Sequence, residues 1–415
     1  MPTIKHLLSH IKKYGSKHKA LYVLALMILF WAVYDGIITF ITPLIMTESG
    51  LSGIQMGIII GTSSISGAIF DFIACRIFKN MIFRRMFLIM FVLCFLYPLL
   101  LFNANSFWLY LIAMAIWGIY YDLKNFGELD FVARHIAPKE HSSSFGVLQV
   151  FKSLGYLIAP ILAGLAIGQA MNWKPFLISW GSLVVSIIFF TGLLFLTQKY
   201  KNKIENPNKP YKKIGLFREI NLWKKIGKTI LPLLILTLLL NFIEAFFWTI
   251  GPLFAESFNG TNQFSGFFMA AYSLPFIFIG WFVGSITKKY GKKRTAFVGL
   301  LIGSSILATI FMFKNFLPTV ALVFVSSIFI SLSSPSINGA YADYIEETKS
   351  ADKEIEGLQD FFTNLGFIIG PIMAGGLFDL IGGSAAFSVL GILGAIAAII
   401  LIIVTPKHIK VNLNS

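Results

Sequence analysis

The sequence predicts an all-α membrane protein in which twelve transmembrane helices form two six-helix bundles related by a parallel repeat. Three observations predict this fold. The 415-residue chain is 56% hydrophobic and only 13% charged, so lipid rather than water must surround much of its surface. The stretch LGYLIAPILAG at 154–164 returns as LGFIIGPIMAG at 365–375. Lysine and arginine are concentrated in alternate gaps between the apolar runs.

Twelve apolar runs are long enough to cross a bilayer. A hydrocarbon core of about 30 Å requires about 20 residues of helix. The first run is longer than a signal-peptide core and contains Asp35, which indicates a span that is retained. The predicted spans cover residues 20–47, 53–75, 85–102, 107–134, 144–168, 175–197, 230–255, 264–286, 295–313, 317–345, 357–379 and 384–405.

Basic residues predict the orientation of these spans. With a cytoplasmic N-terminus, 30 of the 34 lysines and arginines fall in cytoplasmic segments, and only Lys174 and Lys314 fall in outer loops. The positive-inside rule therefore predicts a multi-pass protein of the cell (inner) membrane with both termini in the cytoplasm. The net charge of +15 then reflects topology, so we expect membrane lipids as partners and no nucleic acid.

One long hydrophilic interval divides the chain. Residues 1–198 form a predicted N-terminal bundle with an amphipathic N-terminal segment, 199–229 a basic cytoplasmic linker, and 230–415 a C-terminal bundle with a short cytoplasmic tail. The end of the linker alternates apolar residues and lysines at helical spacing, which predicts a helix lying on the anionic leaflet. We expect the protein to be a monomer.

The repeat extends beyond the proline stretch. At an offset of 209 residues, Asp35 pairs with Glu244 and Gly57 with Gly266. Small residues around each proline allow a second helix to approach closely, and a bent helix with a smooth face suits a moving interface between bundles. Ordinary tight packing is the alternative for either copy alone. The candidate hinge or interface residues are Gly155, Pro160, Gly164, Gly366, Gly370 and Pro371.

Ionisable side chains within the spans are the main functional signal, because an unpaired charge in hydrocarbon is costly. Asp35 and Glu244 lie about 21–23 Å from the cytoplasmic ends of their helices at about 1.5 Å per residue. Neither has a basic residue within one helical turn in sequence, so both are candidate proton carriers. Lys124 and Glu128 are four residues apart and can pair with each other, and Lys152 can pair with a neighbouring carboxylate. The candidate proton-coupling or substrate residues are Asp35, Glu244, Asp122, Lys124, Glu128, Lys152, Asn241 and Asn338.

Two further groups of residues complete the predicted site. Aromatic side chains near the acids can receive an amphipathic or cationic substrate, and the candidates are Tyr34, Phe242, Phe246 and Trp248. Charges near the cytoplasmic mouth can hold an inner gate shut or can simply meet water. The candidate gate residues are Asp71, Asp130, Arg134, Asp343 and Asp360.

The whole chain resembles the major facilitator superfamily in its two six-span halves and basic linker. The loop GSITKKYGKKR at 284–294 resembles the glycine–aspartate–glycine–basic signature of that family, with Lys288 where an acid is usual. The loop CRIFKNMIFRR at 75–85 is a more degraded counterpart, and Asp71 lies one turn earlier. The proline stretches resemble the fifth-span motif of proton-coupled efflux members, with Ala159 in place of a glycine. The resemblance implies that spans one, four, seven and ten line a central cavity around which the bundles rock.

These observations predict a secondary active transporter that works on a small-molecule substrate by alternating access. The two mid-membrane acids and their aromatic surroundings favour proton-coupled export of a hydrophobic or cationic molecule. The alternative is proton-coupled uptake of a polar solute such as a sugar, nucleoside or organic acid, which free lysines in the cavity would favour. A channel would need a continuous polar stripe. The sequence contains no recognisable nucleophile, metal or cofactor constellation, so we expect neither an enzyme nor a cofactor.

Overall fold

The computed structural model describes residues 19–77, 82–137, 140–167, 172–198, 216–258, 264–348 and 352–405, and its regular elements are helices. The first half contains α1 Lys19–Glu48, α2 Gly53–Ile77, α3 Phe83–Asn103, α4 Phe107–His135, α5 His141–Ala166 and α6 Lys174–Gln198. The second half begins with α7 Leu216–Glu256, α8 Gly266–Tyr290, α9 Lys292–Leu307 and α10 Phe316–Thr348. A 3-10 turn, Ile310–Met312, follows α9.

The last helical stretch, Asp352–Val404, contains two spans. Gly382 interrupts it with a φ of 77°, a left-handed conformation that glycine adopts without steric cost. Residues 352–381 therefore form α11 and residues 383–404 form α12. The resulting twelve helices correspond one to one with the twelve predicted spans.

Length and composition alone identify fewer spans among the described residues. Nine helices are long and apolar enough to cross a membrane, or ten with the bent pair Gly266–Ile279 and Phe282–Tyr290. This number counts residues 354–404 as one span, although the segment contains two helices. It also omits α4, whose second half carries five charged residues of the predicted site, Asp122, Lys124, Glu128, Asp130 and Arg134.

The seventh helix differs from the prediction for the linker. Residues 216–229 are continuous with α7 and do not form a separate helix on the leaflet. The reason lies in packing: Gly357 of α11 lies against the Trp223 ring, and the Leu358 side chain lies against Gly227. The extension therefore rests on α11. The amphipathic N-terminal segment and residues 199–215 lie outside the described residues.

Sequential helices alternate in direction, so their ends lie on two faces of the bundle. We call the face that carries Arg84, Arg134, Lys225 and Lys292 the basic face. The other is the opposite face, where Glu256 ends α7 and Gly266 begins α8.

The two halves contact each other closely through α2 with α11 and α5 with α8. Gly57 of α2 lies against the backbone of Pro371, and Gly266 of α8 lies against the backbone of Pro160. These two contacts are equivalent in the repeat. Nearer the opposite face, the Asp379 carboxylate of α11 accepts hydrogen bonds from the Gly53 N–H at 2.8 Å and from the Ile54 N–H at 3.1 Å. The halves are therefore joined on their opposite-face side.

A moving interface would require the small residues of the repeated stretch to face the other half. Several of them do not. Gly155 packs on α1 against Leu29 and Ala32, and Gly366 packs on α7 against Leu238. Gly370 likewise packs on Ala245 and Phe242 of α7, and Gly164 is buried. Gly155, Gly366 and Gly370 therefore pack within their own halves, whereas the two prolines and Gly375, which lies against Gly53 of α2, contact the other half.

Candidate functional site: a central cavity between the halves

A cavity of about 450 Å³ lies between the two halves. Its walls come from α1 to α5 of the first half and from α7, α8, α10 and α11 of the second. Asn125, Gln149 and Asp360 line it and are exposed, and all three lie toward the basic face. Because the halves are joined on the opposite-face side, the cavity opens toward the basic face.

Asp35 of α1 lies at the cavity wall and is fully buried. Its Oδ1 accepts hydrogen bonds from Trp117 Nε1 at 3.0 Å and from Tyr120 Oη at 2.6 Å. Its Oδ2 accepts one from Tyr156 Oη at 2.6 Å. Three donors on two oxygens satisfy a carboxylate, which is the arrangement that a buried anionic group requires.

Glu244 of α7, the repeat equivalent of Asp35, has different surroundings. It is half-buried at the cavity wall, and among the described residues it has neither a hydrogen bond nor an ion pair. Lys152 of α5 lines the same cavity and acts electrostatically on Glu244, but it forms no ion pair within the part of the chain that the structure describes. The two acids are therefore not interchangeable: Asp35 is held by donors and Glu244 is open to the cavity.

The charged side chains of the cavity wall are mostly acidic. Asp122 contributes a carboxylate that lies against Gly67 of α2, and Asp360 contributes another near the opening. Together with Asp35 and Glu244 they make four carboxyl groups against one basic side chain, that of Lys152. Unless its carboxyl groups are protonated, such a cavity favours a cation over an anion.

Lys124 and Glu128 lie outside the cavity. Lys124 is fully buried and its Nζ lies 3.2 Å from Glu128 Oε1, the i, i+4 pair that the spacing allows. The same Nζ lies 5.0 Å from the centre of the Trp31 ring and 4.9 Å from that of Tyr121, within the range of cation–π attraction. These contacts hold Lys124 within the first half, away from any substrate in the cavity.

Three of the four predicted cavity aromatics lie in the packed core. Tyr34 is fully buried and donates its hydroxyl hydrogen to the Cys94 carbonyl oxygen at 2.5 Å. Phe242 and Phe246 are also buried and pack against each other. Trp248 does line the cavity. A helix presents one narrow face to the cavity, so most aromatic residues near Glu244 in sequence point elsewhere. The other large aromatic side chains of the wall are Tyr97, Trp117, Tyr121, Tyr156, Tyr272, Phe276 and Phe367.

Asn241 and Asn338 line a second space, which we call the side chamber. It has a volume of about 200 Å³ and its polar lining is uncharged. Asn241 Nδ2 donates to the Thr237 carbonyl oxygen at 2.7 Å, and Gln359 Nε2 donates to Asn338 Oδ1 at 3.0 Å. The chamber shares Ser334 and Thr363 with the central cavity. Its polar residues are Thr237, Asn241, Ser334, Asn338, Gln359 and Thr363.

The predicted gate residues make contacts within their own halves. Asp130 Oδ2 accepts the Phe83 N–H at 2.8 Å, and Asp130 Oδ1 lies 2.6 Å from Arg134 Nε. Asp343 of α10 pairs with Lys292 at the start of α9. In this conformation, with the cavity open to the basic face, these charges fix α3 on α4 and α9 on α10. Asp71 lies in α2, but its side chain is outside the described part of the structure.

Sequence reasoning missed the residues that complete the Asp35 site. Trp117, Tyr120 and Tyr156 are 82, 85 and 121 residues from Asp35 in sequence, and no local pattern connects them to it. The four-residue spacing of Lys152 and Tyr156 on α5 is the one available signal, because it places both on the same helix face. Among the described residues, no group of three or more histidine, cysteine or acidic side chains could hold a metal ion.

Comparison with known proteins agrees with this geometry. The model of the Major Facilitator Superfamily matches residues 22–351 and 233–415. Multidrug resistance protein 2 of Bacillus subtilis is 24% identical over 379 residues, which cover 89% of this chain and 92% of that protein. The quinolone resistance protein NorA of Staphylococcus aureus is 21% identical over 404 residues, covering 94% and 97% respectively.

A solved structure shares the same fold. The crystal structure of the nucleoside transporter NupG superposes with a TM-score of 0.71 at 14% identity, covering 92% of this chain and 98% of that one. Both halves, the cavity between them and the match over nearly the whole chain lead to one conclusion. The chain is an integral, multi-pass membrane transporter that belongs to the major facilitator superfamily.

Proposed function

We propose that the protein exports a cationic, partly hydrophobic small molecule in exchange for protons, with Glu244 as the group that both ligands use. The observation that carries the proposal is the open carboxyl group of Glu244 at the cavity wall, one helical turn before Trp248. A cation needs a negative charge and an apolar surface, and this part of the wall offers both. Similarity to two resistance proteins supports export.

The exchange of substrate for protons follows from the single negative charge of Glu244. A substrate cation and a proton cannot both neutralise one carboxylate, so binding of either ligand displaces the other. The cavity opens to the basic face, which the positive-inside rule assigns to the cytoplasm together with both termini. In this conformation Glu244 would take up a substrate from the cytoplasm and release its proton there. Rocking of the halves about the cavity would then expose the site to the other side.

Asp35 and Asp122 have supporting roles in this proposal. Asp35 is a second protonatable group, held by its three donors, and Asp122 and Asp360 add negative potential along the path from the basic face. The paired charges of Asp130 with Arg134 and of Asp343 with Lys292 are available to meet the other half when the basic face closes. We propose that the protein works as a monomer surrounded by lipid.

The side chamber supports a second candidate function, proton-coupled uptake of a polar solute. Its amide and hydroxyl groups are suited to a hydroxylated molecule, and Lys152 adds a positive charge for an organic acid. The geometry favours the first candidate because the larger cavity is lined by aromatic side chains and its charged side chains are mostly acidic.

The sign of proton movement tests the two candidates. Purified protein is placed in liposomes with an acidic interior that contain a pH-sensitive dye, and the membrane potential is clamped with valinomycin and potassium. Addition of an external lipophilic aromatic cation should raise the internal pH, because the cation enters as protons leave. A solute that lowers the internal pH when it is added would establish uptake with protons instead. The absence of any substrate-dependent pH change across a panel of cations and polar solutes would contradict proton coupling itself.

A further inference from the structure

Tyr156 contacts both halves of the molecule, and the role inferred for it below rests on the proposed proton coupling. Tyr156 of α5 donates a hydrogen bond from its hydroxyl to Asp35 Oδ2 at 2.6 Å. Its ring packs on Trp248 of α7, with ring centres 5.8 Å apart and planes at 63°. Asp35 belongs to the first half and Trp248 to the second. Tyr156 therefore connects a buried acid to the surface of the other half.

We propose that Tyr156 is the positioning residue through which proton binding at Asp35 alters the contact between the halves. The two oxygens of Asp35 differ in this respect. Oδ1 is held by Trp117 and Tyr120 of α4, both within the first half, whereas Oδ2 is held by Tyr156. Only the second bond leads across the cavity.

The position of the Tyr156 ring is fixed from both sides. Gly36 follows Asp35 on α1, and a Cβ atom there would lie 2.6 Å from Ala159 Cβ and 3.1 Å from Tyr156 Cδ1. The Tyr156 ring and Ala159 together thus occupy the space beside the Gly36 backbone, and the ring also packs on Trp248. Because this space is narrow, a change in the hydrogen bond to Asp35 acts directly on the contact with Trp248.

Protonation of Asp35 transfers one proton and breaks no other covalent bond. A proton from the aqueous cavity binds to Asp35 Oδ2, while the Tyr156 hydroxyl keeps its own proton. The charge-assisted hydrogen bond is replaced by a bond to a neutral carboxyl group, which is weaker. The phenol is then free to turn from Asp35, and the edge-to-face contact with Trp248 loses its support.

Tyr156 and Trp248 also lie on the same helices as the groups around the second acid, Glu244. Trp248 lies four residues after Glu244 on α7, and Lys152, which acts on Glu244, lies four residues before Tyr156 on α5. One helix face of α5 therefore carries a hydrogen bond to Asp35 and a positive charge that acts on Glu244. The other titratable side chains that act on Asp35 or feel its charge are Tyr34, Cys94, Tyr97, Tyr120, Tyr121 and Lys124.

Tyr120 provides a matched control. Its hydroxyl also donates to Asp35 at 2.6 Å, but to Oδ1, and its ring packs within the first half against Trp31 and Tyr34. Tyr120→Phe and Tyr156→Phe each delete one hydroxyl group and one hydrogen bond to the same carboxylate. A difference between them reports the contact with the second half rather than the ionisation of Asp35.

The experiment compares two activities of the same purified variants in liposomes. Counterflow exchange of a labelled lipophilic cation requires binding and rocking but no net proton movement, whereas accumulation driven by a pH gradient requires coupling. Tyr156→Phe should keep counterflow and lose gradient-driven accumulation by about tenfold or more, as expected for loss of a hydrogen bond to a charged group. Tyr120→Phe should change both activities in the same proportion.

Trp248→Leu tests the other end of the connection. It leaves both tyrosines in place but removes part of the substrate surface, so counterflow itself should fall, and the ratio of accumulation to counterflow should fall as well, as in Tyr156→Phe. The double variant should be no less coupled than either single variant, because both remove the same link. Equal coupling ratios in Tyr156→Phe and Tyr120→Phe, or additive effects in the double variant, would overturn the inference. Wild-type protein without gradient-driven accumulation would instead contradict the proposed function.

Discussion

The backbone of Pro160 in α5 occupies the space that a side chain on Gly266 of α8 would need, and Pro371 of α11 has the same relationship with Gly57 of α2. Each proline belongs to one copy of the repeated stretch and each glycine to the other half of the molecule. The carbonyl oxygens at the two prolines lie against the glycine Cα atoms, so the helices approach each other as closely as backbones allow. These two contacts keep the opposite face joined.

We expect Gly57→Ala and Gly266→Ala to disfavour this conformation. A methyl group at either position overlaps a backbone carbonyl, and overpacking of this kind costs about 1–3 kcal/mol. The halves can avoid the cost by separating on the opposite face. In a cysteine-free background, a cysteine in place of Asn125, which is exposed in the cavity, should therefore react more slowly with a reagent added at the basic face.

The control for these variants comes from the same stretch. Gly155→Ala and Gly366→Ala create overlaps of similar kind, but with α1 and α7 of their own halves. They should lower the thermal stability of the purified protein and leave the labelling rate unchanged. If all four variants alter labelling and stability alike, the glycines between the halves have no special influence on the conformation.

A second prediction concerns the link across the opposite face. Asp379 caps the first turn of α2 from the other half, and loss of a cap costs about 0.5–2 kcal/mol. Because this cap exists only while the halves are joined there, Asp379→Ala should also slow labelling at position 125. Asp379→Asn retains one acceptor oxygen and should have a smaller effect.

Asp130 offers the comparison for Asp379. It caps the first turn of α3 from within the same half, so Asp130→Ala should lower thermal stability without slowing labelling at position 125. Slower labelling in both alanine variants would mean that the loss of any cap disturbs the conformational balance. In that case the contact of Asp379 with α2 would have no specific role in keeping the halves joined.

A third prediction tests the buried pair of Lys124 and Glu128. Removal of one partner leaves an unpaired buried charge, which costs about 3–5 kcal/mol, while an apolar pair of similar volume is often neutral. We expect Lys124→Met to lower the unfolding temperature strongly and the double variant Lys124→Met/Glu128→Leu to recover most of the loss. Thermal unfolding in one detergent compares the three proteins. Loss of transport in a double variant that is stable would show that the pair also has a functional role.

The fold could be predicted from the sequence because its physical causes are local. A bilayer sets the length of each apolar run, basic residues mark the gaps, and the offset of 209 residues shows that the halves are copies. The one clear difference, the extension of α7 back to Leu216, depends on its packing on α11. A contact between residues so far apart in sequence leaves no trace in the periodicity.

The site was predicted less completely, for the same reason. Depth within a span identified Asp35 and Glu244 as cavity residues, and both line the cavity. Their different surroundings come from three donors on other helices, which no spacing around Asp35 reveals. Tyr34 was misplaced because proximity in sequence to Asp35 says little about the direction of a helical side chain: the two residues point about 100° apart at 3.6 residues per turn.

In the proposed exchange, a proton and a cationic substrate compete for Glu244. The decisive measurement is of the protons that purified protein releases, in weakly buffered detergent solution, when it is saturated with a lipophilic aromatic cation. Glu256→Gln is the matched control, since it makes the same change in α7 three turns away and outside the cavity lining. We expect proton release from the wild-type protein and from Glu256→Gln, and none from a Glu244→Gln protein that still binds the cation. Undiminished proton release from Glu244→Gln would rule out competition at this carboxyl group.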